Sequence, residues 1–204
     1  MPLSDKGVQA IQIQYGTVQQ LIEHFADGTG PKTTSDLENS SAITAHYEAS
    51  LLVLKIGKLL GYDTYSPDGA RTAFGEKLDE YCTLKKLPIR FLGELAPIIR
   101  EIDAIWFRDD VPKFAFEVEH TTKVASGFQR LLQLHPLSTK LFVISSEENR
   151  RLFDKYIETD PYYRHRSAFH FRNYSQLESF FRAVSQFDAI SQAFLRGSLE
   201  PLSE

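Results

Sequence analysis

Residues Ile98–Glu119 read IIREIDAIWFRDDVPKFAFEVE. Two stretches rich in β-branched and aromatic residues, 98–107 and 113–119, flank the turn-forming Arg108–Pro112. This is the pattern of a β-hairpin. Side chains alternate along a strand, so Glu117 and Glu119 share one face. With the turn centred near Asp110, Asp103 lies opposite Glu117, because both are seven positions from that centre. Asp103 therefore joins the face of Glu119. Three carboxylates so placed repel one another, and a divalent cation removes that penalty. Hard oxygen donors suit Mg2+ or Mn2+ rather than zinc.

Outward from the hairpin, helices and strands alternate. Thr44 is positioned to cap a helix running to Leu60, where Gly61 stops it. Glu48 lies in its first turn, on a face with Leu51, Leu52, Lys55 and Leu59. Tyr62–Ser66 reads as a strand, and Ala70–Lys86 has helical character around its GEKLDEYCTLKK segment. Downstream the expected order is helix Ser126–Leu134, strand Lys140–Ser146, helix Glu147–Thr159, strand Ala168–Arg172 and helix Ser175–Leu195. The continuous apolar run of KLFVISS suits a strand buried on both faces. Upstream, Val8–Ala26 reads as a helix and Asp27–Ser41 as a polar linker. The expected fold is α/β, a mixed central sheet flanked by helices. Residues 1–44 form an N-terminal helix and linker in this reading, and residues 45–204 the main domain.

The composition narrows the functional classes. With 23 Lys/Arg against 27 Asp/Glu, the net charge of −4 excludes a chain that coats nucleic acid by bulk charge. A local basic region is still allowed, since residues 120–204 carry 11 Lys/Arg against 9 Asp/Glu. At 42% hydrophobic residues the chain can bury a core without disulfides. A single cysteine, Cys82, points to a reducing compartment. Met1–Ala10 has no signal-like apolar core, and no apolar run is of membrane-spanning length, so a cytoplasmic location is expected.

Together, Glu48 on the first helix, Asp103 in one strand, Glu117-Val118-Glu119 in the next and Gln129 on the following helix resemble the PD-(D/E)XK nuclease superfamily. The resemblance covers Ala45 to about Ser146 and implies a restriction-endonuclease-like core of αβββαβ order. Ile102 precedes Asp103 where proline is common, and Glu119 stands where the superfamily usually has lysine. A minority of restriction enzymes with this fold also carry Glu there, and Lys123 is placed to supply the missing positive charge. His120 points to the opposite face if the strand continues.

The resemblance implies Mg2+-dependent hydrolysis of DNA phosphodiesters, with Mn2+ an alternative ion, by an endonuclease of restriction or defence type. Asp103, Glu117, Glu119 and Glu48 are then the metal ligands, with Lys123 and Gln129 as further catalytic candidates. Arg150, Arg151, Arg164, Arg166 and Arg172 are the candidates for phosphate contacts. Cutting a duplex with one site per chain implies a homodimer or a partner subunit. The alternative is a catalytically inactive nuclease-fold subunit that binds DNA or assembles with a partner, for which Glu119 is the best support.

Overall fold

Asp109 and Asp110 close the hairpin at φ 55° and 60°. Two successive left-handed residues make the tight turn whose twist matches the strands on either side. The computed structural model describes residues 34–88, 96–119 and 124–196. The expected helix at 8–26 lies outside the described residues, as do His120 and Lys123. By its contacts the chain divides into two units, Met1–Ser41 and Ala42–Glu204. The sheet and its packed helices belong to the second.

In chain order the elements are helix α1 (Thr34–Leu59), strand β1 (Asp63–Tyr65), a small hairpin β2 (Thr72–Ala73) and β3 (Glu76–Lys77), and helix α2 (Ala96–Ile99). Strands β4 (Ala104–Arg108) and β5 (Val111–Glu119) follow, then helix α3 (Val124–Leu132), strand β6 (Lys140–Ser145), helix α4 (Arg150–Ile157), strand β7 (Phe169–Asn173) and helix α5 (Tyr174–Leu195). Five strands form one sheet in the order β1-β4-β5-β6-β7. The first three pair antiparallel and the last three parallel, so the sheet is mixed as expected.

Between the turn and the body of the hairpin the register shifts. Phe107 pairs with Pro112, but Trp106 pairs with Phe114, leaving Lys113 as the extra residue of a β-bulge. Beyond the bulge Ala104 pairs with Phe116, and this register continued by one position sets Asp103 against Glu117.

Three boundaries differ from the sequence reading. Helix α1 begins at Thr34, so residues 34–41 are helix rather than linker, and Thr44 is not the cap. Ser, Thr and Asn are weak helix formers, yet no Gly or Pro interrupts residues 33–56. Strand β4 starts at Ala104 rather than Ile98, because Pro97 near a helix start favours the short α2. The GEKLDEYCTLKK segment holds a strand and one 3-10 turn, Leu78–Tyr81, instead of a longer helix.

Two cores sandwich the sheet. Ile105, Phe107, Ala115, Leu141, Val143, Phe169 and Phe171 face α3 and α4 and pack on Phe128, Leu131 and Phe153. Ala104, Trp106, Phe116, Val118 and Ile144 face α1 and α5 and pack on Leu51, Leu54, Leu177 and Val184. Helix α5 is fixed at its start by a capping box, in which Asn173 and Gln176 each take the other's backbone N–H.

Gly57 lets α1 lie against the sheet, since a Cβ there would fall 2.5 Å from Trp106 Nε1 and 2.7 Å from Thr64 Cγ2. Gly57→Ala should therefore destabilise the protein by about 1–3 kcal/mol through overpacking. This sign opposes the ~1 kcal/mol that helix propensity alone would contribute. Urea unfolding followed by fluorescence of Trp106, the single tryptophan, checks it; a stabilised variant would contradict the packing.

Candidate active site

The hairpin delivers three carboxylates to the end of β5 near the start of β4. Asp103 sits just before β4, where its Oδ2 accepts the Val118 N–H at 2.7 Å. Glu117 and Glu119 leave β5 on the face turned to α3. Glu117 is fully buried. A buried carboxylate needs a cation, and Arg130 of α3 supplies one: Nε donates to Oε1 at 2.8 Å and Nη2 to Oε2 at 2.6 Å. The two parallel bonds use the guanidinium as a fork.

Helix α3 can approach so closely because Gly127, one turn before Arg130, has no side chain. A Cβ there would lie 2.8 Å from Glu119 Oε1 and 3.3 Å from Glu117 Cβ. Tyr174 from α5 and Ser145 from β6 donate hydroxyl hydrogen bonds to the Glu119 carbonyl and hold the strand end. The Glu119 carboxylate itself takes no hydrogen bond or ion pair among the described residues.

Charge and burial set the protonation chemistry. Burial pushes Glu117 well above the ordinary carboxylate range, with the Arg130 hydrogen bonds acting against that rise and Asp103 adding to it. Burial likewise raises Asp103, while His46, the Val118 N–H and Arg130 draw it back. Glu119 is raised to about 7, first by burial and then by the charge of Asp103, with Arg130 opposing. Arg130 is itself held more firmly protonated by Glu117. One guanidinium thus faces three acids.

On its other side Asp103 meets α1 and the turn after β1. His46 Nε2 lies 3.7 Å from Asp103 Oδ1, and His46 Nδ1 lies 2.9 Å from the Val118 carbonyl oxygen. Asp68 follows Pro67 in the turn. One ligand atom from each of His46, Asp68 and Asp103 can be chosen so that all three lie within 4.8 Å of one another. This imidazole and carboxylate set fits a divalent ion on its donor chemistry. The Glu117 oxygens, by contrast, are both already engaged by Arg130.

The other residues singled out from sequence fall elsewhere or outside the described residues. Glu48 is half-buried beside a small cavity with Ala45, Leu52, Phe74, Tyr174, Leu177 and Glu178. It is His46, two residues earlier on α1, whose side chain reaches Asp103. Gln129 is exposed on α3. Among the basic candidates, Arg150 pairs with Glu147 at 2.7 Å and stacks over Phe171, toward α4. Arg172 lies over Phe142 on the opposite face of the sheet. Arg164 pairs with Asp160, Arg166 folds back on Tyr163, and Arg151 is exposed.

Sequence reasoning did not single out Arg130, His46, Asp68 or Gly127. For Arg130 a signal existed, since it is the sole charged residue of α3 and follows an acid-bearing strand.

Arg130→Ala leaves Glu117 buried without a cation, which should cost about 3–5 kcal/mol near neutral pH. Because the folded-state pKa of Glu117 is raised, its contribution to stability is lost as pH rises. Removing Arg130 takes away the hydrogen bonds that hold this pKa down, so the variant's deficit should widen as pH rises above the ordinary carboxylate range, and adding Glu117→Gln should recover much of it. Denaturant unfolding across pH measures this; a deficit independent of pH and of Glu117 would contradict the pairing.

Among the described residues no helix is long and apolar enough to cross a membrane. Searches of curated proteins and of solved structures return no significant match. A family model, described as the type II restriction enzyme NmeDI C-terminal domain, matches residues 29–202. That span takes in the whole sheet, the carboxylate cluster and every described helix. The chain belongs to the family of the type II restriction enzyme NmeDI C-terminal domain.

Proposed function

We propose that the chain is a restriction-type DNA endonuclease domain that hydrolyses phosphodiester bonds with a divalent cation, on a PD-(D/E)XK core whose lysine is replaced by Glu119. The observation that carries this reading is the convergence of Asp103, Glu117 and Glu119 on Arg130 at the strand end, in a chain of a restriction-enzyme family. Ligands of open α/β sheets bind beyond the carboxyl ends of the strands, which is where Glu119 lies.

In this mechanism Asp103 is the common metal ligand, with Mg2+ or Mn2+ as the ion. A bound ion supplies Lewis-acid polarisation of the phosphate and acidifies a water. Glu119 accepts the proton of the attacking water on its carboxylate as the water oxygen bonds to phosphorus. The opposite P–O bond breaks and its electron pair leaves with the sugar oxygen. Of the three carboxylates, that of Glu119 is the one with no hydrogen bond or ion pair among the described residues, which leaves it open to the water. Arg130 holds Glu117 and offsets the summed negative charge that would otherwise repel DNA.

One observation favours a second reading, a nuclease-fold subunit without catalysis: both Glu117 oxygens are occupied by Arg130. A supercoiled-plasmid assay with Mg2+ or Mn2+ separates the two. Cleavage is expected, reduced about 100-fold or more by Glu119→Gln and by Asp103→Ala. Cleavage that survives Asp103→Ala sinks the site assignment, and DNA binding without cleavage in either metal supports the second reading.

Cutting both strands with one site per chain calls for two chains, and α5 carries a surface suited to a second copy. Helix α5 buries Leu177 and Val184, and along the edge of that buried stripe it exposes Phe180 (47%), Phe187 (69%) and Phe194 (67%). These phenylalanines recur every seven residues, symmetrically about Phe187. An antiparallel copy with its dyad at Phe187 sets each end phenylalanine against the other. The three rings offer roughly 350 Å2 per chain. With Ile190 and Leu195, both copies together approach the ~1,000 Å2 of a specific interface. Sedimentation should give a dimer for the native chain and a monomer for Phe187→Asp; an unchanged mass would rule this surface out.

A further inference from the structure

We propose that His46, Asp68 and Asp103 seat the divalent cation, with His46 Nε2 as a nitrogen ligand that favours Mn2+ over Mg2+. The proposal deepens the nuclease reading and rests on it for the reaction served, though not for the binding itself.

His46 Nδ1 lies 2.9 Å from the Val118 carbonyl oxygen. A carbonyl only accepts, so Nδ1 carries the ring hydrogen, and in the neutral imidazole Nε2 is a lone pair. That atom faces Asp103 Oδ1 at 3.7 Å. A proton on either group, or a cation between them, satisfies two acceptors turned toward each other at this distance.

The surroundings favour the ion. Val118 orients both partners, since its carbonyl takes the His46 Nδ1–H and its N–H donates to Asp103 Oδ2 at 2.7 Å. A ligating imidazole is commonly pinned through its other nitrogen in this way. A third donor is at hand in Asp68, and the three ligand atoms lie within 4.8 Å of one another. An ion about 2.1 Å from each ligand sets neighbouring donors about 3 Å apart and opposed ones about 4 Å apart. The His46–Asp103 separation falls inside that range. The contact competing for Asp68 is weak, with Arg71 Nε 4.0 Å from Oδ1 on two partly exposed side chains.

The donor set decides the ion. Mg2+ prefers an all-oxygen shell and keeps its waters. Adding an imidazole nitrogen shifts preference toward first-row transition ions, of which Mn2+ best tolerates carboxylates. Helix α1 thereby contributes to the site through His46.

The test uses the full chain stripped of metal. Mn2+ titration by calorimetry should show one ion per chain, bound at least about tenfold more weakly in His46→Ala and in Asp68→Asn. Electron spin-echo modulation of Mn2+ on the unaltered chain should show 14N coupling from a bound imidazole, a readout that no misfolded variant can confound. Mn2+ bound without 14N coupling, or with equal affinity in a folded His46→Ala, overturns the proposal; so does an absence of Mn2+ binding. Plasmid cleavage run in parallel separates the two claims. Cleavage with Mn2+ binding that ignores His46 leaves the nuclease reading standing and removes this seat. Nitrogen-coupled Mn2+ without cleavage of any DNA supports the seat and counts against the nuclease reading.

Discussion

The placement of the acids depends on one extra residue in β5. The turn at Asp109-Asp110 alone would pair Asp103 with Phe116, setting the aspartate out of phase with both glutamates. Lys113 bulges out and moves the register by one, so the continued ladder sets Asp103 against Glu117. A slip of one position in a strand exchanges its two faces. Without the bulge, Glu117 would lie under the wrong core, and the carboxylates would be divided between the two sides of the sheet.

Once that register is set, electrostatics constrains the rest. A carboxylate with no solvent contact is costly unless answered, and Arg130 answers Glu117 with a fork of two hydrogen bonds. Gly127 eases that answer, because a Cβ there would displace the Glu119 carboxylate and crowd Glu117 Cβ at 3.3 Å. The balance is deliberately incomplete: one guanidinium faces three acids, and Glu119 is left with a pKa raised to about 7. In the proposed reading, residual negative charge beside an imidazole that faces Asp103 is where a cation gains and phosphate alone does not. DNA and metal would then bind as linked events.

Much of this was legible in the sequence. Alternation, turn residues and β-branched content gave the hairpin, the buried β6 and the mixed sheet. The hairpin spacing predicts Asp103 opposite Glu117 from a turn centre that equals the true turn plus its bulge, and the ladder itself stops one pair short, at Ala104 and Phe116. What could not be read was contact between distant segments. The pattern of α3 marks a helix, but not that Arg130 rather than Gln129 turns to the sheet. His46 is hidden by the more conspicuous Glu48, and Asp68 by its ordinary place in a Pro-Asp-Gly turn. Local signals also misled where two competed: the Ser-rich 34–41 segment is helical, and the β-branched 98–101 segment yields to Pro97.

The central claim is that the cluster around Asp103 is a metal centre at which DNA phosphate reacts. Anomalous diffraction at the manganese edge, from crystals grown with a duplex and Mn2+, tests it most directly. The account predicts a manganese peak against Asp103 Oδ1 with a backbone phosphate on its open side. A manganese peak remote from Asp103, or a duplex whose phosphates stay far from it, would contradict the account.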